Sequence, residues 1–246
     1  MAFCTLTRSA GEGTSPMSMD PSLAQMHHQI VRGLVETGSC PTNEMLAHSL
    51  RMPREEVESR LRLLADIHGV VLHPYASVPW IVHPFSLVPT LNWVQGQGRG
   101  WWAPCIWCAL GISVVVGGRT EVHTRLGAEA EPIRISVKDG VPSSQRDAVV
   151  HFAIPPAAAW RNVHEHCSLV LPFRSESEID DWCSRHSLPR GEAVPLPQVA
   201  DLARKWYGQH AAPDWHKWTV AEAAQIFHSV GLRSAFWNLG DENREF

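Results

Sequence analysis

The stretch Trp101-Trp102-Ala103-Pro104-Cys105-Ile106-Trp107-Cys108-Ala109-Leu110-Gly111-Ile112-Ser113-Val114-Val115-Val116 sets how the rest of the chain reads. It is strongly apolar and reads as helical. Its longest uninterrupted part, Ala103 to Val116, falls short of the about 18–20 apolar residues that a membrane helix needs, so no membrane partner is expected. On either side the character is that of alternating strands and turns. Ser86 to Gln95 reads as one strand, and Gly96-Gln97-Gly98-Arg99-Gly100 as a hairpin turn rather than a dinucleotide loop, because no further Gly follows at that spacing. Strand-like runs recur at Thr120 to Thr124, Ile133 to Val137, Val149 to Ile154 and Ser168 to Phe173, separated by Gly, Pro and Asp. Antiparallel sheet is the natural reading.

Helices close the chain. Ser175 to Arg185 begins with a capping box of Ser175 and Glu178, Pro197 to Tyr207 follows, and Thr219 to Val230 ends at Gly231. At the other end, Leu23, Met26, Ile30, Leu34 and Val35 recur at helical spacing up to Gly38. A second helix opens at Pro41-Thr42-Asn43-Glu44. A third runs from about Pro53 through Val57, Leu61, Leu64 and Ile67, and Val70 to Leu72 with Trp80 to Val82 make a small hairpin. Three helices and a hairpin suggest a winged-helix-like unit. The expected fold is α+β: a disordered tail at 1–20, a winged-helix-like helical unit at 21–84, and an antiparallel-sheet domain with C-terminal helices at 85–240.

Composition agrees with a packed, soluble chain. Of 246 residues, 44% are hydrophobic and 19% charged, which allows one large domain or two modest ones. The net charge of −4 provides no overall basic field for nucleic acid. The third helix sets Arg51, Arg54, Arg60 and Arg62 against Glu55, Glu56, Glu58 and Asp66, so its charges nearly cancel. A packing or dimerising role is expected for this unit, with no nucleic-acid partner. Met1 to Pro21 has only Arg8 as a basic residue and no apolar core segment, so a cytoplasmic location is expected. In such a compartment the six cysteines are expected to be thiols, some of them metal-binding or catalytic.

Four of them bear on chemistry. Cys4 lies in the tail and Cys40 in an interhelical turn, whereas Cys105 and Cys108 form a Cys-x-x-Cys pair, Cys167 is expected to begin a strand, and Cys183 lies on the following helix as core filler. A Cys-x-x-Cys pair is either a redox dithiol or half of a metal site. His164-x-His166 beside Cys167 could complete a metal site, and the thioredoxin-like reading lacks its βαβ context.

The run Trp107-Cys108-Ala109-Leu110, opening an apolar helix, resembles the motif of the organomercurial (alkylmercury) lyases, and so does a second cysteine about sixty residues on, Cys167, ahead of Leu169-Val170-Leu171-Pro172-Phe173. Gly118-Arg119-Thr120 lies between them where the family has a similar turn, and the small helical unit in front matches as well. The resemblance runs from about 23 to 208, with the C-terminal stretch closest to divergent, actinobacterial-type members.

The resemblance implies that Cys108 and Cys167 act on an organomercurial, since Hg(II) strongly prefers thiolates and two thiolates weaken the carbon–mercury bond. It implies no required cofactor, with Hg(II) as bound product or a soft metal ion in its place; Cys105 departs from the family pattern, as a third thiolate for the metal or as a disulfide partner that switches Cys108 off. At a helix N-terminus, Cys108 is expected to have a lowered thiol pKa. In the family an Asp three residues after the first cysteine relays the proton to carbon; here that position is Gly111, and Glu165 and His166 beside Cys167 are the nearest candidates for a substitute, Glu165 first. Trp101 and Trp107 are the candidates for an aromatic substrate pocket. Gly111 keeps two alternatives open: a non-catalytic soft-metal (Cu or Hg) binding protein, and a lyase-fold enzyme of specialised metabolism using Cys108.

Overall fold

The computed structural model describes residues 20–159 and 163–240, so the expected tail, except for Asp20, and the side chain of the candidate ligand His164 lie outside the described residues. The chain opens with three helices, α1 (Pro21–Thr37), α2 (Asn43–Leu50) and α3 (Arg54–Asp66). Asp20 accepts a hydrogen bond from the Ser22 amide at 2.9 Å, and Gly38 ends α1 in the left-handed region at φ 79°, where glycine carries no Cβ penalty. Leu23, Met26, Ile30 and Leu34 of α1 face Val57, Leu61 and Leu64 of α3 across a buried seam. Arg51 is the left-handed cap of α2 rather than a residue of α3. Arg54 pairs with Glu44 and Glu58, and Arg60 with Glu56, so neighbouring carboxylates engage these arginines.

The hairpin that follows does not stay with the helices. Strands β1 (Val71–Leu72), β2 (Pro79–Val82), β3 (Phe85–Ser86), β4 (Asn92–Gly96), β5 (Arg99–Ala103), β6 (Arg119–Arg125), β7 (Pro132–Lys138) and β8 (Val141–Pro142) form one eight-stranded antiparallel sheet. Its order is β1-β2-β3-β5-β4-β6-β7-β8, and the cis His83–Pro84 bond lies in the β2–β3 turn. Two expectations are corrected here. Ser86 to Gln95 is not one strand, because Pro89 cannot donate to a ladder and Ser86 turns back on the Val88 carbonyl at 2.8 Å. Nor is 101–116 one helix: Trp101 and Trp102 pair with β4 as part of β5, where aromatic side chains suit a pleated surface, and α4 (Ile106–Val116) starts only after Pro104.

Helix α4 is buried nearly all round, as its uniformly apolar sequence requires. The sheet covers it on one side. On the other lie α8 (Leu196–Tyr207) and a second sheet of β9 (Val149–Phe152), β10 (Val170–Phe173) and β11 (Glu192–Pro195), in the order β10-β9-β11. Short helices α5 (Pro156–Ala159) and α6 (Val163–Ser168) connect β9 to β10, α7 (Glu176–His186) connects β10 to β11, and α9 (Val220–Ser229) follows α8. The strand expected at Ser168 to Phe173 begins at Val170, and Cys167 sits in α6 instead. The strand expected to reach Ile154 stops at Phe152, and β11 was not foreseen.

At α7, Ser175 caps the Glu178 amide at 3.3 Å, but the Glu178 carboxylate bonds the Arg174 amide, so only half of the expected box forms. The complete box is at α9, between Thr219 and Glu222. Cys183 lies buried with Phe173, Ile179 and Trp182 in a small satellite core, the filler role expected of it. The chain is α+β, and among the described residues no helix is long and apolar enough to cross a membrane.

Candidate active site

Pro104 ends β5, and the next residue, Cys105, takes the N-cap position of α4 with extended backbone (φ −152°, ψ 178°). Its sulfur accepts the Cys108 amide at 3.4 Å, as a serine oxygen would at such a position. Cys108 follows one turn on, fully buried. Cys167 comes from α6, and its Sγ lies 3.8 Å from Nε2 of His83, the residue that begins the turn between β2 and β3. The ligand atoms of His83, Cys108 and Cys167 all lie within 4.8 Å of one another. Two thiolate–metal bonds of about 2.3–2.5 Å each reach across such a gap. The two sulfurs therefore need no rearrangement to share one soft metal.

The thiols of Cys105, Cys108 and Cys167 are all free. Burial opposes ionisation of Cys105, but hydrogen bonds from the Cys108 and Cys167 thiols and from the Cys108 amide outweigh it and hold Cys105 well below the usual thiol value. Burial and the neighbouring Cys105 push Cys108 well up, and hydrogen bonding to Cys105 and Cys108, with burial, does the same for Cys167. The lowering expected at Cys108 falls instead on Cys105, through the Cys108 and Cys167 thiols first and the Cys108 amide after them.

Tyr207, the last residue of α8, closes the site from above. Its hydroxyl lies 3.3 Å from Cys108 Sγ, and burial followed by the nearby thiols holds the phenol well above its ordinary value, so it keeps its proton. A cavity of about 230 Å³ opens beside these groups, walled by Trp107, Trp206 and Tyr207 and reaching Cys167 and His83. Trp107 meets Trp206 at 5.4 Å and Tyr207 at 5.7 Å between ring centroids, nearly edge to face.

The expected residues fare unequally. Cys105, Cys108 and Cys167 converge, and Trp107 lines the cavity. Trp101 instead donates its indole N–H to the Leu34 carbonyl at 2.7 Å, fastening β5 to α1. Glu165 is exposed on α6. His166 is buried, lines the cavity and lies near Cys105, whose charge opposes the lowering of its pKa by burial. Sequence reasoning missed His83 and Tyr207. A histidine before Pro84 carries no motif, and Tyr207 gains its meaning only from the packing of α8 on α4.

Residues 85–208 match the profile of the family described as MerB, alkylmercury lyase. The crystal structure of the mercury-bound form of MerB2 superposes with a TM-score of 0.59 at 19% identity, covering 79% of this chain and 98% of that one. No curated protein sequence matches the chain.

Proposed function

The chain belongs to the alkylmercury lyase family, and from that premise we propose that Cys108 and Cys167 together cleave the carbon–mercury bond of an organomercurial and hold the Hg(II) product. The observation that carries this reading is the approach of both buried sulfurs, with His83, to within 4.8 Å of one another. A cavity of about 150 Å³ accepts benzene, so the about 230 Å³ beside the cluster suits the organic group of a small aryl or alkyl mercurial.

The thiols supply the chemistry. An organomercurial R–Hg–X meets Cys167, whose sulfur binds mercury as X⁻ takes up the thiol proton and leaves as HX. Cys108 then binds the same mercury. Its second thiolate bond pushes electron density onto carbon, the carbon takes a proton, and R–H departs, leaving Cys108 and Cys167 on Hg(II). No redox change occurs and the step as written draws on no cofactor. Glu165 is poorly placed to give that proton: it is exposed, and residues two apart on a helix do not share a face.

Full-length protein mixed with phenylmercury under excess thiol is expected to release benzene and Hg(II), measured by headspace analysis and a mercury-selective dye. Cys108→Ser and Cys167→Ser should each lower release by about a hundredfold or more, as removal of an essential nucleophile does. Tight phenylmercury binding without benzene above the Cys108→Ser background would replace this reading with that of a soft-metal holder.

A further inference from the structure

Where the family resemblance implies a proton-relaying carboxylate, the chain carries Gly111, which has no acid to offer. The space over Gly111 is not empty. A Cβ built there would fall 2.3 Å from Cδ2 and 2.7 Å from Cε2 of Tyr207, so the phenol ring occupies the volume a side chain at 111 would need. The same ring carries its hydroxyl to 3.3 Å from Cys108 Sγ and forms part of the cavity wall with Trp107 and Cys167. The bare glycine on α4 and the aromatic on α8 are one feature contributed by two helices.

We propose that Tyr207 relays the proton of the Cys108 thiol to the departing carbon, in place of the carboxylate that position 111 lacks. This rests on the carbon–mercury lyase reading above. A phenol can accept one hydrogen bond while donating another. As the Cys108 sulfur closes on the mercury already held by Cys167, its proton moves to Tyr207 Oη, and the proton formerly on Oη moves to carbon. The electron pair of the carbon–mercury bond becomes the new C–H bond, and the pair left on the Cys108 sulfur becomes the second S–Hg bond. Tyr207 begins and ends as a neutral phenol. In sum, R–Hg–S(Cys167) and HS(Cys108) give R–H and S–Hg–S, with atoms and charge balanced.

The relay also accounts for why the aromatic residue is a tyrosine. The ring alone fills the space over Gly111, and a phenylalanine would do that equally well; only the hydroxyl reaches the sulfur.

Single-turnover reactions of the full-length protein with phenylmercury test this, following the protein–S–Hg–phenyl adduct by intact mass and benzene by headspace analysis. Tyr207→Phe is expected to form the adduct as the wild type does but to release benzene about a hundredfold more slowly, within the usual contribution of a positioned acid, so that the adduct accumulates. Tyr207→Ala with Gly111→Asp, in which space opens and a carboxylate returns, should release benzene faster than Tyr207→Ala alone. The relay is overturned if Tyr207→Phe releases benzene at the wild-type rate. It is equally overturned if Tyr207→Phe fails to form the adduct, which marks a structural role. Should the wild type form adduct yet give no benzene, the lyase reading itself falls and the relay with it.

Discussion

A helix N-cap is ordinarily a short oxygen side chain; at α4 it is Cys105, whose larger and weaker acceptor sulfur takes the Cys108 amide at 3.4 Å. This choice trades capping strength for a third thiol beside Cys108 and Cys167. Cys105→Ser separates the two roles. Serine caps at least as well, so urea unfolding should show stability unchanged or raised by about 0.5–1 kcal/mol. The variant should nonetheless surrender Hg(II) faster to a competing dithiol, with a sulfur-to-mercury absorption band altered from that of the wild type. Unchanged mercury retention would reduce Cys105 to a cap. That Cys105 and Cys108 lie close at a helix start was legible from their three-residue spacing, since such positions are neighbours on a helix. Which of them caps the helix was not, because it depends on where β5 ends and α4 begins.

Between elements, the decisive contact is that of α4 with α8 through Gly111 and Tyr207. Alanine at 111 should favour the helix by up to about 1 kcal/mol, yet its Cβ would stand 2.3 Å from the Tyr207 ring, and overpacking of this kind costs about 1–3 kcal/mol. The steric term should win. Gly111→Ala is expected to lose about 1 kcal/mol in urea unfolding and, by displacing the Tyr207 hydroxyl from Cys108, to slow benzene release as well; a variant as stable and as fast as wild type would show that the ring yields freely. The amphipathic helices α1, α3, α8 and α9 could be read from spacing and end signals. Trp101 to Val116 could not be divided by hydrophobicity, since a covered strand and a buried helix are equally apolar. Pro104, which disfavours helical backbone in the residue before it, was the only local sign of the break. His83 and Tyr207 reach the site through long-range packing, which no local pattern encodes.

Across the whole molecule, the helical unit and the larger region share one sheet and one cavity, with His27 of α1 and His83 of the β2–β3 turn lining the same space as Trp107 and Tyr207. That construction buries imidazoles. His27 stacks on Trp215 at 3.6 Å between centroids, and burial, then Lys217 and His28, lowers its pKa to about 3. His210 beside it is held well below the ordinary value, by burial first and then by His27, Lys217 and His83. Away from this cavity, against Phe173 and Trp182, His151 is lowered to about 4 by burial and Arg190 and accepts the Gly191 amide on Nε2 at 3.2 Å, a bond that protonation would abolish. Each folds as the neutral ring, whereas the unfolded chain takes up its proton near the ordinary histidine value of about 6.5. Stability is therefore complete above that value and is lost as pH falls towards the folded-state values, by up to roughly 1.4 kcal/mol per pH unit for each such ring. Urea midpoints should fall steadily from pH 7 to pH 5. In His27→Phe, which keeps an aromatic ring against Trp215, the fall should be shallower by about one proton's worth of slope. A wild-type midpoint that stays level over this range would mean that these rings are not held neutral by the fold, and that the cavity between the two parts of the chain admits charge and water.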